Sequence, residues 1–337
     1  MIPIYEITNE ELKLYKHRRI AQDVGNPSYT ELWLTVDGKR IFKLFSADEA
    51  IKYACAADIQ NDISTLLALS NSRVSFDARF VLPDMIYEQQ SEIIGYSMPN
   101  IRGISLSQAK SLNMSEFRGI VQQIYADVLM VNQNVGFSFA DLHEDNIILG
   151  ADGCVYHIDL DGWYCGDGIG RRSRYLTFQK EKLASYSSKY GIDRSGNIIP
   201  NLNTDMLCLM HMILNHLLQA DFYFAEMVED EQERYLQYIT KHCDDIDVDR
   251  IYESFFSDDV ISFNERTILA LPNDIRSFSY NEFVKRTSKF KNNSDAEEYL
   301  RQNELRLKKL FPDRTVLQST DGTGHWYGER RHCTVTM

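Results

Sequence analysis

The stretch from Phe137 to Trp163 constrains this chain more than any other. Two short apolar runs, Ile147–Leu149 and Val155–Ile158, flank the dipeptide Asp152-Gly153. That dipeptide between apolar runs is a strong tight-turn signal, so the stretch predicts a β-hairpin. Acidic and amide side chains stand at its ends: Asp141, Asn146, Asp159 and Asp161. A hairpin that gathers carboxylates and an amide suits a hard cation, which prefers oxygen ligands.

What precedes the hairpin reads as a small sheet. Arg19–Val24, Tyr29–Val36 and Arg40–Phe45 are strand-like, with Leu32, Leu34 and Val36 alternating and Asp37-Gly38 marking a second turn. From Ala47 to Leu69 the period becomes helical, because Ile51, Cys55, Ile59, Ile63 and Leu66 recur three or four residues apart. Two more strands, Val81–Tyr87 and Glu92–Met98, are joined around Gln89-Gln90-Ser91. The first hundred residues thus predict five antiparallel strands with one helix inserted after the third. Lys43 lies inside an apolar strand, either as an edge lysine facing solvent or as a cation held over the sheet for an anionic ligand.

Beyond Pro99-Asn100 the chain becomes mainly helical. Ser115 is the expected N-cap of a helix with Phe117, Ile120, Val121, Ile124, Val128 and Val131 at core spacing. Residues 164–203 show no long period and predict an extended loop. Asp205 then opens a very apolar helix, Met206–Leu218, expected to be buried nearly all round. Further helices are expected at Glu231–Lys241, Val248–Phe256, Asn281–Arg286 and Ser294–Leu310, the last with a capping box of Ser294 and Glu297. The expected domains are 1–99, 100–290 and a C-terminal helix with polar tail, 291–337.

Composition narrows the function. A net charge of −13 argues against a general nucleic-acid or anionic-membrane binder. The six cysteines form no CxxC pair, which points to reduced thiols rather than a zinc site or disulfide framework. No uninterrupted apolar run is long enough to span a bilayer, and the N-terminus lacks a signal-peptide pattern. The expectation is a soluble, cytoplasmic protein.

With the elements placed, the chain resembles the protein-kinase-like superfamily over about residues 20–285, at the divergent end with bacterial kinases and aminoglycoside or choline phosphotransferases. Asp141 and Asn146 are five residues apart, and Asp159 follows thirteen later across a hairpin, as in the kinase catalytic loop and metal-binding triplet. Lys43 sits in the third strand, and Asp62 nineteen residues on in the next helix. The resemblance implies a bilobal α+β fold, with a sheet-and-helix N-lobe and a helical C-lobe. It implies ATP and Mg²⁺ as cofactors, with Asn146 and Asp159, and Asp161 as a further candidate, on the metal. Lys43 would contact the phosphates, oriented by Asp62 or by Asp58 one turn earlier; Gly25, Ser28 and Met98 would line the nucleotide site. Asp141 would align the acceptor hydroxyl, and Asp205 would brace the catalytic loop.

The pattern also departs from the family. Phe139-Ala140 replaces the His-Arg before the catalytic Asp, the triplet reads Asp159-Leu160-Asp161 with Asp where Gly is usual, and only Gly25 remains of the glycine-rich loop. Asp161 is either a further metal or water ligand or a turn carboxylate facing solvent. Asp-Leu-His-x-x-Asn, with His143, is similar to the phosphotransferase and atypical-kinase branches. The resemblance implies a Ser/Thr protein kinase, with a small-hydroxyl kinase and a nucleotide-binding pseudokinase as alternatives, and nucleotidyl transfer as a remoter one. Arg171, Arg172 and Arg174 read as a solvated loop cluster or as a contact for an acidic partner. His325, His332 and Cys333 lack metal-ligand spacing.

Overall fold

Alternation along the early strands forces a two-faced sheet, and the register fixes what each face covers. The computed structural model describes residues 2–20, 30–71, 76–109, 112–164, 174–186, 189–192, 198–218, 223–243, 245–258, 263–271, 316–318 and 326–328. Several residues of the sequence analysis lie outside these: Gly25, Ser28, Arg171, Arg172, the segments expected as helices at 281–286 and 294–310, and His325, His332 and Cys333. The architecture is α+β. The described residues within Met1–Lys110 and Met130–Arg171 form one compact unit, and those within Ser111–Leu129 and Arg172–His332 another. The hairpin of residues 147–157 therefore groups with the sheet that precedes it.

In the first unit the strands are β1 (Ile4–Glu6), β2 (Arg18–Ile20), β3 (Thr30–Leu34), β4 (Arg40–Phe45), β5 (Met85–Gln89) and β6 (Glu92–Pro99). They form one sheet in the order β1-β5-β6-β4-β3-β2. The expected five antiparallel strands are present, but the sheet has six and is mixed, because β1 runs parallel to β5 with Ile4 opposite Ile86. Three residues beside a proline are too few to show a period of two, so this strand is set by its partner and not by its own pattern. The β5–β6 loop is two residues, Gln90 and Ser91, both at positive φ (54° and 65°), the geometry of a type I′ turn built without glycine.

The expected single helix is two: α2 (Glu49–Ala54), capped by Asp48 through Ala50 and Ile51 N–H, and α3 (Ala56–Asn71), with the chain leaving helical geometry at Cys55. One sheet face carries Phe42, Leu44 and Tyr87 with Ile7. Here α1 (Asn9–Tyr15) adds Leu12, and Tyr15 stacks on Phe42 at 5.2 Å. Its N-terminus is closed by a capping box between Thr8 and Glu11. The other face packs Tyr96, Met98 and Ile86 against Leu66 of α3, with Val81 and Ile2. Met98 is thus part of a packed apolar cluster, and its side chain is committed there. Gly95 sits at φ 153°, where a Cβ would meet the Lys43 carbonyl oxygen at 2.3 Å. Only glycine lets β6 lie this close to β4.

A second, three-stranded sheet consists of β7 (Gly103–Ser105), β8 (Ile147–Gly150) and β9 (Val155–His157), all antiparallel, with β8 central. The β8–β9 hairpin is the one its sequence predicts.

In the second unit, α4 (Met114–Met130) begins one residue before the expected cap, because Asn113 and not Ser115 closes it. Asn113 Oδ1 accepts from Glu116 N–H at 3.0 Å while Glu116 accepts from Asn113 N–H at 2.9 Å. The expected extended loop contains α5 (Arg174–Phe178), α6 (Lys180–Ala184) and a small hairpin of β10 (Gly191–Ile192) and β11 (Ile198–Ile199). Elements this short have no room for a legible period. The apolar helix α7 (Leu202–Leu218) is buried along nearly all its length, Asp205 included. Around it follow α8 (Glu229–Thr240), α9 (Val248–Ser254) and α10 (Glu265–Leu269), and a hairpin of β12 (Val316–Gln318) and β13 (Trp326–Gly328) ends the described chain. Cys55, Cys154, Cys208 and Cys243 are free thiols.

The core of α7 carries a built-in acid sensitivity. His211 is fully buried against the rings of Tyr175, Phe224 and Tyr252, and neither ring nitrogen has a hydrogen-bond partner among the described residues. Burial, with a smaller push from Lys182, lowers its pKa to about 3, and burial lowers that of His216 to about 4. Both histidines therefore take protons more readily in the unfolded chain. The stability they permit is complete above the ordinary pKa of ~6.5 and is lost as pH falls toward the folded values. Replacing His211 by Phe is expected to raise stability at pH 7 by ~1–3 kcal/mol and to flatten the fall in urea midpoint between pH 7 and pH 4.

Candidate functional site

Lys43 decides the site because a pleated strand gives its side chain one direction. Phe42 and Leu44 pack into one face of the sheet, so Lys43 projects from the other, as does its cross-strand partner Tyr96. The lysine is buried, which excludes the solvent-facing edge reading. Its ammonium lies 5.9 Å from the centroid of the Tyr96 ring and is met by two carboxylates. Asp159 Oδ1 accepts a short hydrogen bond from it, and Asp161 Oδ2 lies 2.8 Å away.

The two carboxylates differ in surroundings. The Asp159 side chain is 43% exposed and that of Asp161 1%. Burial works against the Lys43 charge, yet Asp159 and Asp161 outweigh it and hold the ammonium well above its ordinary pKa. Crowding by the surrounding chain, with repulsion from Asp161, raises the Asp159 carboxyl despite Lys43. Burial opposes ionisation of Asp161 too, but Lys43 and the Tyr96 hydroxyl pull it below the usual range. Of the pair, Asp161 is the firmly ionised partner and Asp159 the one open to solvent.

Asp62 is buried on α3 and Asp58 is exposed. This selects Asp62 of the two helix acids. Its charge contributes to the field on Lys43, but the ion-pair partners of the lysine are Asp159 and Asp161. A sequence search for a helix acid looks on the wrong element for the carboxylate that touches this lysine.

The segment before the hairpin presents the remaining groups. Asp141 has roughly a third of its side chain exposed, at 36%. Its N–H bonds back to the Phe139 carbonyl at 2.5 Å around Ala140, which is held at φ 59°. Asn146 donates its amide N–H to the Asp141 carbonyl at 3.1 Å, so that the amide oxygen is left for another partner. The Asn146 carbonyl in turn accepts from Ile158 N–H at 3.0 Å, which brings Asn146 beside the residue preceding Asp159. His143 is oriented by its neighbours: Nδ1 accepts from Asp145 N–H at 3.2 Å, which places the ring proton on Nε2, 3.4 Å from Asp141 Oδ2.

Backbone strain concentrates here. Ala140 and Asp159 adopt positive φ (59° and 61°) without being glycine, a cost that persists only where surrounding packing over-determines the backbone. The packing is aromatic. Phe139 meets Trp163 at 4.5 Å and His157 at 5.0 Å between centroids, Phe80 stacks on His157 at 5.1 Å, and Phe76 closes on Phe80 and Trp163. Thr65 of α3 donates to the Trp163 carbonyl at 3.1 Å and ties the helix to the same cluster. Phe139 is an anchor of the loop in three dimensions.

The structure thus brings Lys43, Asp159 and Asp161 into contact, and Asp141 with His143 and Asn146. Tyr96 is the site residue that sequence reasoning missed, because only the β4–β6 register sets it opposite Lys43. Among the described residues no group of three or more His, Cys, Asp or Glu is placed to hold a metal ion, and no helix is long and apolar enough to cross a membrane. Comparison with known proteins gives no match, either to a family model or to a curated protein sequence. Truncating Phe139 to Ala should cost ~3–5 kcal/mol of stability, read from urea unfolding by Trp fluorescence.

Proposed function

We propose that this protein is a divergent member of the protein-kinase-like superfamily, an ATP- and Mg²⁺-dependent phosphotransferase acting on a hydroxyl, with protein Ser or Thr as the first choice of acceptor. The observation that carries the reading is the meeting of Lys43 with Asp159, residues 116 positions apart. A buried lysine facing an open carboxylate has little value for stability, since desolvation takes back most of what the ion pair returns. It has value for a polyanionic ligand and its counter-ion.

The donor set fits Mg²⁺. Asp159 offers an accessible carboxylate and Asn146 an amide oxygen, and Mg²⁺ in phosphate chemistry usually takes only one or two protein carboxylates beside phosphate oxygens and water. So sparse a set needs no larger acidic or histidine cluster, and none is present among the described residues. When bound, the metal would neutralise phosphate charge and fix phosphate geometry. The chain's own residues do the rest. Lys43 turns its ammonium from Asp159 to phosphate oxygens. Asp141, exposed and facing His143 Nε2, accepts a hydrogen bond from the acceptor hydroxyl and aligns it for attack. Asn146 holds the Asp141 backbone in place through its amide N–H.

A small hydroxyl acceptor would use the same residues, and a pseudokinase would leave Asp141 without a task although it stands open to solvent. Incubation with γ-labelled ATP should label protein or a small hydroxyl compound, which separates the first two, and Asp141→Ala should slow transfer by ~10²–10⁴-fold. Label arriving only from α-labelled ATP points to nucleotidyl transfer; absence of transfer points to a pseudokinase. ATP with Mg²⁺ at 100 times its Kd should stabilise the wild type by ~2.7 kcal/mol and Asp159→Ala far less; a wild type that ATP does not stabilise removes the reading.

A further inference from the structure

We infer that Asp161 is not a metal ligand but a positioning residue for Lys43, with the Tyr96 hydroxyl as its support. The inference rests on the phosphotransferase reading for its purpose, though not for its geometry. Mg²⁺ coordinated by phosphate and water needs a carboxylate oxygen it can reach. Both carboxylate oxygens of Asp161 are sealed from solvent, whereas the side chain of Asp159 is 43% exposed. Asp161 Oδ2 lies 2.8 Å from Lys43 Nζ; the ring centroid of Tyr96, cross-strand from Lys43, lies 5.9 Å from the same ammonium, and its hydroxyl acts on the Asp161 carboxylate.

The backbone holds Asp161 in place. It is the middle residue of a single 3₁₀ turn, Leu160–Gly162, closed by Gly162 N–H to the Asp159 carbonyl at 3.1 Å and Trp163 N–H to the Leu160 carbonyl at 3.1 Å. Thr65 of α3 fixes the Trp163 carbonyl just beyond the turn. The two carboxylates therefore divide the work. When Asp159 is recruited by a cation it leaves the lysine, and a buried ammonium left alone would be costly. Asp161 stays, so Lys43 remains paired and aimed. This explains an acidic residue two positions after Asp159, where glycine would leave that task to a helix acid.

The test is the affinity of a ribose-labelled fluorescent ATP analogue for wild type, Asp161→Asn, Asp159→Asn and Tyr96→Phe, each with Mg²⁺ and with EDTA. Asp161→Asn is expected to weaken binding about tenfold in both conditions, and Tyr96→Phe about threefold in both. Asp159→Asn should weaken it with Mg²⁺ only. Loss in Asp161→Asn confined to Mg²⁺, or no loss, overturns the assignment. A second measurement needs no nucleotide: the ¹⁵N ammonium signal of Lys43, identified by its disappearance in Lys43→Gln. It should be protected from exchange in the wild type, persist in Asp159→Asn and be lost in Asp161→Asn; the opposite pattern overturns the proposal. Tyr96→Phe, which removes one hydroxyl, supplies the same readout at reduced size where Asp161→Asn does not fold. A wild type that binds no nucleotide but shows the expected ammonium pattern refutes the phosphotransferase reading alone.

Discussion

A single ammonium shared by two carboxylates organises the first unit of this protein. Lys43 is buried in a sheet, while Asp159 caps and Asp161 lies within a 3₁₀ turn more than a hundred residues later in the chain. Unpaired, each of these charges would be expensive to bury. Together they oblige the β4 strand, the hairpin and α3 to keep one mutual arrangement. The pairing adds little net stability, so its worth lies in specifying where a positive and a negative group stand.

The supporting structure removes freedom from those groups. Gly95 lets β6 approach β4 closely enough for Tyr96 to face the lysine. Aromatic rings around Phe139 hold the segment with two residues in left-handed backbone geometry. The Asn146 amide and the Asp145 backbone N–H orient their neighbours, while the carboxylates of Asp141 and Asp159 remain accessible. Rigid support around exposed functional groups is the arrangement a pre-organised polar site requires.

The second unit is held differently. Its central helix is apolar on nearly every side, and the polar groups it buries include histidines kept neutral by their surroundings. Hydrophobic burial is non-directional, so this part tolerates a helix without a single buried stripe, provided neighbours cover all of it. The site in the first unit depends instead on direction, where a change of one residue in register would turn Lys43 to the opposite face.

The amino-acid sequence alone determined the five antiparallel strands β2 to β6, the buried α7 helix, the β8–β9 hairpin and the short list of acids around it. Each rests on a local property, whether alternation, helical period, turn chemistry or spacing, and local properties are readable along a chain. Tertiary structure decided the rest. It added β1, whose three residues take their conformation from β5, and it split the helix of residues 47–69 at Cys55. It buried Asp62 and exposed Asp58, gave the ion pairs of Lys43 to Asp159 and Asp161 in place of either helix acid, and set Tyr96 beside the lysine. These outcomes depend on what one segment meets in another, and residue order does not carry that information. Sequence could list the acids of the Asp159-Leu160-Asp161 triplet, but only burial and register could say which of them is open and which is closed on the lysine.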